Sequence, residues 1–331
     1  MKPSASAFAG SVRLPLVNGN SPKVLLFPAR PTGAALAPDV IFLYAYGQQR
    51  PNSTIREALM KANRLFSLVL VALPGLLRAH DTWLVPASFY ASPGEQVRVR
   101  LATSEAFPTS DGAVSPDRVV RFTLRTGSGT AQVGGYRVGG KDLIADVVAP
   151  AAGSAIVAAE TKPRTFPGGG LEAKIFNQYL QGEQLTAVIE ARALRDETDK
   201  PGRERYRKIA KAVICVGDAT DSLPTQPEGL WLEIVPRRTP CGLRVGDALT
   251  ATVLFEGKPL EGVHLAAGFE GTTGHKYPVW LRTDGAGQAT VRFDRPGAWF
   301  LRTLHMVPAK DDPEADWHSA FTTLVFEVRP R

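Results

Sequence analysis

The chain has 331 residues, enough for one large domain or two ordinary ones. Glycine (31) and proline (26) are both abundant, and helix interiors tolerate neither, so the composition favours short strands joined by turns over a helical protein. The formal charge of +7 hints at nucleic acid until it is located: nine of the 39 Lys and Arg, but two of the 32 Asp and Glu, precede His80, which leaves thirty of each sign after it and no general attraction for phosphate backbones.

Residues 1–59 are rich in Pro, Gly and Ala and show no sustained period, so they read as an over-long start assignment or a disordered leader. Met60 then opens MKANRLFSLVLVALPGLLRAHDTW. Lys61 and Arg64 form a basic start, Leu65 to Leu77 an apolar run, and Ala79 a small-residue end. This is the layout of a secretory signal peptide over 60–79, too short to span a bilayer and followed by a chain that needs no membrane span of its own. The expected location is the periplasm.

From Asp81 to Ala159, short apolar stretches such as QVRVRLA, RVVRFTLRT and AIVAAET alternate with turn residues, the pattern of antiparallel strands. Residues 171–195 change texture. Ile175, Tyr179, Leu185, Val188 and Ile189 recur at helical spacing, with Gly182 expected to break the run into two short helices. RDETDKPGRERYRK reads as a solvated charged loop, and KIAKAVICVG returns to strand character. DATDSLPTQPEG (218–229) reads as a linker. After it, seven strand candidates fall within about 100 residues, from LWLEIVP to FTTLVFEVRP. The expected fold is mainly β: two immunoglobulin-like antiparallel β-sandwich domains, 80–217 and 230–331, the first carrying a small helical insert. Cys215 and Cys241 could pair in an oxidising compartment, for roughly 3–4 kcal/mol, or remain two separate thiols.

Phosphate loops, dinucleotide-binding glycine patterns, GxSxG and HExxH are all missing from the sequence. Paired carboxylates such as Asp196/Glu197 and Asp311/Asp312 lie in charged stretches and read as solvated surface. All five histidines follow the signal peptide: His80, His264, His275, His305 and His318. Cleavage after Ala79 would give His80 a free α-amine beside its imidazole. Both nitrogens lose their protons cheaply near neutral pH and suit Ni²⁺ or Co²⁺, and also Cu²⁺ or Zn²⁺. His305 and Met306 end a strand, and the loop beyond them carries Asp316, Trp317 and His318. His275 lies in another loop. His264, between Val263 and Leu265, reads as structural.

Taken in order, HDTWLVP, FNQYLQGEQL, RERYRKIAKAVICVG, GDALTATVLFEGKPLEGV, TDGAGQATVRFDRPGAWFLRTLHM and DWHSAFTTLVFEV resemble a bacterial domain-of-unknown-function family described as a nickel uptake transporter family. The resemblance covers 80–331. It implies a periplasmic component of a cobalt or nickel transport system, with membrane transporter subunits as partners. It supports His80, the His305–Met306 pair, and Asp316 with Trp317. The chain departs from the pattern at Ser104–Glu105, where relatives carry Gly-His before Phe-Pro, and at His318, where relatives often carry an acid. The expectation is therefore a non-enzymatic nickel- or cobalt-binding protein with ligands drawn from His80, His305, Asp316, His318 and His275. A metal-free envelope scaffold and a copper-dependent oxidative enzyme with an N-terminal histidine are the alternatives.

Overall fold

Alternation makes the first strands. In QVRVRLATS the side chains of Val97, Val99 and Leu101 are buried while Gln96 and Arg98 face solvent, the period expected of a strand with one covered face. The computed structural model describes residues 80–218 and 221–331. The expected leader and signal peptide lie outside the described residues. Along the chain run β1 (Asp81–Pro86), β2 (Tyr90–Ala91), β3 (Gln96–Ser104), β4 (Val119–Thr126), β5 (Gly129–Gln132), β6 (Arg137–Gly139), β7 (Asp142–Val148), β8 (Gly153–Thr161) and β9 (Arg164–Thr165). Helices α1 (Ala173–Gly182) and α2 (Thr186–Leu194) follow, then β10 (Glu204–Val216), β11 (Leu232–Pro236), β12 (Ala248–Phe255), β13 (Lys258–Pro259), β14 (His264–Phe269), β15 (Val279–Arg282), β16 (Gln288–Arg292), β17 (Gly297–Pro308) and β18 (Trp317–Val328).

The protein is mainly β, as expected, and its strands form three layers. One outer sheet has the order β1-β3-β7-β6 and the other is built on β11-β12-β13, with β16 paired to β12 on the edge it shares with β13. Between them lies a ten-stranded sheet, β15-β14-β17-β18-β10-β8-β4-β5, with β2 and β9 also paired to β10. Its two faces fill two different cores. On β10, Ala210, Ala212 and Ile214 pack with Trp83 and Val99 of the first outer sheet, whereas Ile209, Val213 and Cys215 pack with Leu232 and Val253 of the second. Past the edge of the first sheet, α1 and α2 cover the rest of that face. Phe176, Leu180 and Val188 sit there on Tyr206, Leu304, Trp317 and Phe321. The helical insert thus falls within the expected 171–195. No described helix is long and apolar enough to cross a membrane.

The two expected halves are not separated by a free linker. β10 pairs in parallel with β18, from Glu204↔Trp317 to Ala212↔Val325, while its far end pairs antiparallel with β8. One sheet therefore runs through both halves, and residues 80–331 fall within one compact unit. The described part of 218–229 is pinned as well. Asp221 accepts hydrogen bonds from the Ser154 and Leu223 amides, at 2.7 and 3.0 Å, and Pro224 is buried. Glu228 pairs with Arg125 at 3.0 Å. Buried Lys211 reaches Glu233 at 2.6 Å, and the same carboxylate accepts from the Glu228 and Leu230 amides. The physical reason is the two-sided burial of β10, which needs a layer on each face. A fragment of 230–331 alone, which lacks β10, should show no cooperative unfolding transition by circular dichroism; a sharp one would mean that the C-terminal half folds independently.

The charged stretch ending in RERYRK also departs from expectation, because β10 begins at Glu204. Glu204 and Lys208 are buried rather than solvated. Cys215 and Cys241 form a disulfide with a separation of 26 residues, tying the end of β10 to the loop after β11. Reduction should lower the unfolding free energy by about 3 kcal/mol, read from urea midpoints with and without reductant; unchanged midpoints would refute a stabilising role.

Candidate functional site

The predicted histidines scatter. His80 precedes β1 with its side chain 45% exposed, and its Nε2 lies 3.7 Å from Asp111 Oδ2. His305 sits on β17 facing the opposite outer sheet. Its ring meets Phe255 edge-on at 4.7 Å, and burial pushes its pKa down to about 4. It lines a small pocket of about 130 Å³ with His264, whose Nδ1 is 3.2 Å from the Gln184 carbonyl. His318 Nε2 is 2.8 Å from Asp312, which is also bound by Arg205 at 2.7 Å, so Asp312 is engaged rather than simply solvated. Asp316 is taken by Arg203 at 2.6 Å. Ser104, at the departure from the family pattern, is buried and accepts from the Ala106 amide, while the Glu105 carbonyl accepts from Gly274. The five predicted ligands thus do not share one site. Among the described residues, no group of three or more His, Cys, Asp or Glu is arranged to hold a metal ion.

What the structure does assemble, beside His80, is a buried ionic cluster. Arg302 on β17 is 1% exposed. Its Nε donates to Asp81 at 2.9 Å, and its Nη1 and Nη2 donate to Glu183 at 2.5 and 2.9 Å. The Tyr277 hydroxyl donates to the other Asp81 oxygen, and His275 Nδ1 lies 3.1 Å from Glu183. His275 adopts a left-handed backbone with φ of 58°, unusual for a residue with a side chain, and its buried Nε2 has no hydrogen-bond partner among the described residues. Burial alone would raise the Glu183 pKa. The Arg302 charge and the hydrogen bonds from His275 and Arg302 outweigh it and bring it to about 2. Burial opposes the charge on Arg302, but Asp81 and Glu183 hold it fully ionised.

The cluster fixes the start of β1. Asp81 is buried and locked, so the adjacent His80 stands at a fixed place on the rim of a cavity of about 480 Å³. Arg118, Arg164, Tyr206 and Lys208 line that cavity along with His80 and Asp111. Near it, burial raises the Glu204 pKa to about 7, with Ser319 and Lys208 pulling the other way, and burial lowers that of Lys208 to about 7. Sequence reasoning missed Glu183, Glu204, Lys208 and Arg302. A signal was present: a lone charge inside an apolar run, as in AWFLRTLHM and KIAKAVICVG, marks a buried partner when the strand is covered on both faces.

Removing Arg302 would strand two buried carboxylates. Arg302→Met should cost about 3–5 kcal/mol in urea unfolding at neutral pH. Glu183 is depressed from 4.5 to about 2, so its contribution is complete above pH 4.5 and is lost as pH falls toward 2. Over that window the protein should lose on the order of 3 kcal/mol that Glu183→Gln does not lose. Parallel pH profiles for the two proteins would show that the pair contributes nothing.

Comparison with known proteins places the chain in context. Residues 77–307 match the family described as Domain of unknown function (DUF4198). No curated protein matches. Solved structures with some likeness include the D0-D1 domain of Intimin, at 15% identity over 75% of this chain and 97% of that one, with a TM-score of 0.20. The full ectodomain (Ig1-Ig3) of mouse nectin-like molecule 4 gives 12% identity over 76% and 65%, with a TM-score of 0.18. Murine CEACAM1b gives 8% over 76% and 100%, at 0.19. Overlap at this level supports no inference about ligands or partners.

Proposed function

This chain belongs to the DUF4198 family, and on that premise we propose that it is an exported binding protein that captures a divalent transition-metal ion, nickel or cobalt, and hands it to a membrane uptake system. The ion is held at His80 by the imidazole and by the α-amine that signal cleavage after Ala79 would free. The observation that carries this reading is the contact between His80 Nε2 and Asp111 Oδ2 at 3.7 Å, with both side chains about half exposed on the cavity rim. The negative charge of Asp111, beyond hydrogen-bonding distance, favours the tautomer with its proton on Nε2. Nδ1, the nitrogen nearer the main chain, is then left as the free donor. An α-amine and Nδ1 of one histidine close a chelate ring without moving the backbone. His305, Asp316, His318 and His275 have no part in this site, since each is engaged elsewhere. Export to the periplasm and delivery to transporter subunits belong to the same proposal, supported by the leader pattern at 60–79 and by the family resemblance.

Calorimetric titration with Ni²⁺ and Co²⁺ tests it. Protein beginning at His80 should bind at least about 10–100-fold more tightly than protein carrying one extra residue before it, because an amide is a poor donor. Asp111→Asn should weaken binding, and His305→Ala should leave it unchanged. Equal affinity of the extended and free forms would overturn the reading, and a large loss with His305→Ala would move the site.

A further inference from the structure

Lys208 is 8% exposed, yet its Nζ has no hydrogen-bond partner among the described residues. It rests 3.1 Å from the ring centre of Phe321 and 5.4 Å from that of Tyr206. A buried ammonium without a hydrogen-bonding partner is costly, and natural proteins seldom keep one without a use for it. Arg118 repeats the feature on the same cavity: its Nη2 is buried and also lacks a partner. The charge of Arg164 bears on Arg118, and the Arg164 Nε donates to the Tyr206 hydroxyl. Three cationic side chains thus line one cavity. Among the described residues the one carboxylate lining it, Asp111, stands with His80. The remaining walls include Val114, Phe166 and the Tyr206 ring. At about 480 Å³ the space falls within the range of about 300–1,000 Å³ typical of small-molecule sites.

We propose that this cavity is a binding site for a small organic carboxylate, its anionic end held by Lys208 and Arg118 and its apolar body against Phe166, Tyr206 and Val114. The two buried donors lack hydrogen bonds that a carboxylate can supply, and a guanidinium fork matches that group in shape. The apolar wall favours an organic acid over inorganic phosphate. Burial brings Lys208 to a pKa of about 7, and a bound anion would favour its charged form. Arg302, equally buried and fully paired with Asp81 and Glu183, is the contrasting case in the same molecule.

The probe is sodium benzoate, with inorganic phosphate as its comparison. Both are titrated by calorimetry into full-length mature protein stripped of metal on a chelating resin, so the result does not depend on His80 as a metal ligand and no soluble carboxylate competes. Benzoate should bind saturably, and phosphate should bind at least about tenfold more weakly. Lys208→Met and Arg118→Gln should each weaken benzoate by about tenfold or more, while the surface change Arg137→Gln leaves it unaltered. Without ligand, Lys208→Met should melt no lower than wild type, since it removes an unpaired buried charge. Absence of saturable benzoate binding, equal binding by Lys208→Met, or tighter binding of phosphate would each overturn the proposal. A marked drop in melting temperature for ligand-free Lys208→Met would do so too, because Lys208 would then serve the fold.

Discussion

Two-sided burial of β10 is the constraint on which the remaining architecture rests. A strand apolar on one face needs one covering layer; one apolar on both needs two, and its neighbours inherit the requirement. From Lys208 to Val216 every residue of β10 is buried. The small residues Ala210 and Ala212 face the first outer sheet, and Trp83 of that sheet and Phe300 of β17 supply the bulk in that core. Larger Ile209 and Val213 face the second. Such a strand cannot lie at the rim of either sandwich, so both sandwiches share it. Near the start of β10, Tyr206 packs instead with Phe176, Leu180 and Val188 of the two helices. A charged segment is thereby carried into a protein interior.

That placement makes the handling of charge the second organising fact. Arg302 and Lys208 stand on the same face of the central sheet, both almost wholly buried, and they are treated in opposite ways. Arg302 has two carboxylates within hydrogen-bonding distance, so its desolvation is largely offset, and it joins β1, β17 and the turn after α1. Lys208 has aromatic rings and distant carboxylates but, among the described residues, no acceptor in contact. A cation–π contact stabilises an ammonium by about 2 kcal/mol when desolvated, well below the several kcal/mol that burying a charge costs. By magnitude, Arg302 is explained by the fold alone, whereas Lys208 is not.

The sequence was legible where one local rule decided the outcome. Alternation in QVRVRLATS, the helical spacing broken at Gly182, and the seven strands after the linker all appear where the pattern placed them. The join between the halves was not legible. The parallel pairing of β10 with β18 links segments about 110 residues apart, and continuous apolar runs such as KIAKAVICV do not say which strand they meet. The separation of the candidate ligands was not legible for a related reason. Strand parity puts His305 on the face opposite Arg302 and Leu304, but parity cannot say which face meets which layer, and here His305 meets Phe255. His275 comes from a loop in a left-handed conformation and reaches Glu183, a residue at a helix end, so two segments distant in sequence had to be placed before that contact existed. Asp111 lay in a turn with no periodic signal at all.

On the proposed reading, the metal site and the export step are chemically one event. Before cleavage the nitrogen of His80 is an amide whose lone pair is delocalised into the carbonyl, so it is no ligand at neutral pH. Afterwards it is an amine with a pKa near 8, and a metal ion competes with a single weakly held proton. The fold contributes by holding the next residue still. Asp81 is fixed by Arg302 and Tyr277, and β1 is paired along its length to β3, so the main chain one bond away from the amine has little freedom left to lose on binding. Chelate and carboxylate are thus presented from a rigid sheet end, whereas a free N-terminal peptide would have to forfeit that entropy. The same anchoring explains why a buried cluster made of Asp81, Arg302, Glu183 and Tyr277, none of them a ligand in this reading, is built directly behind an exposed histidine.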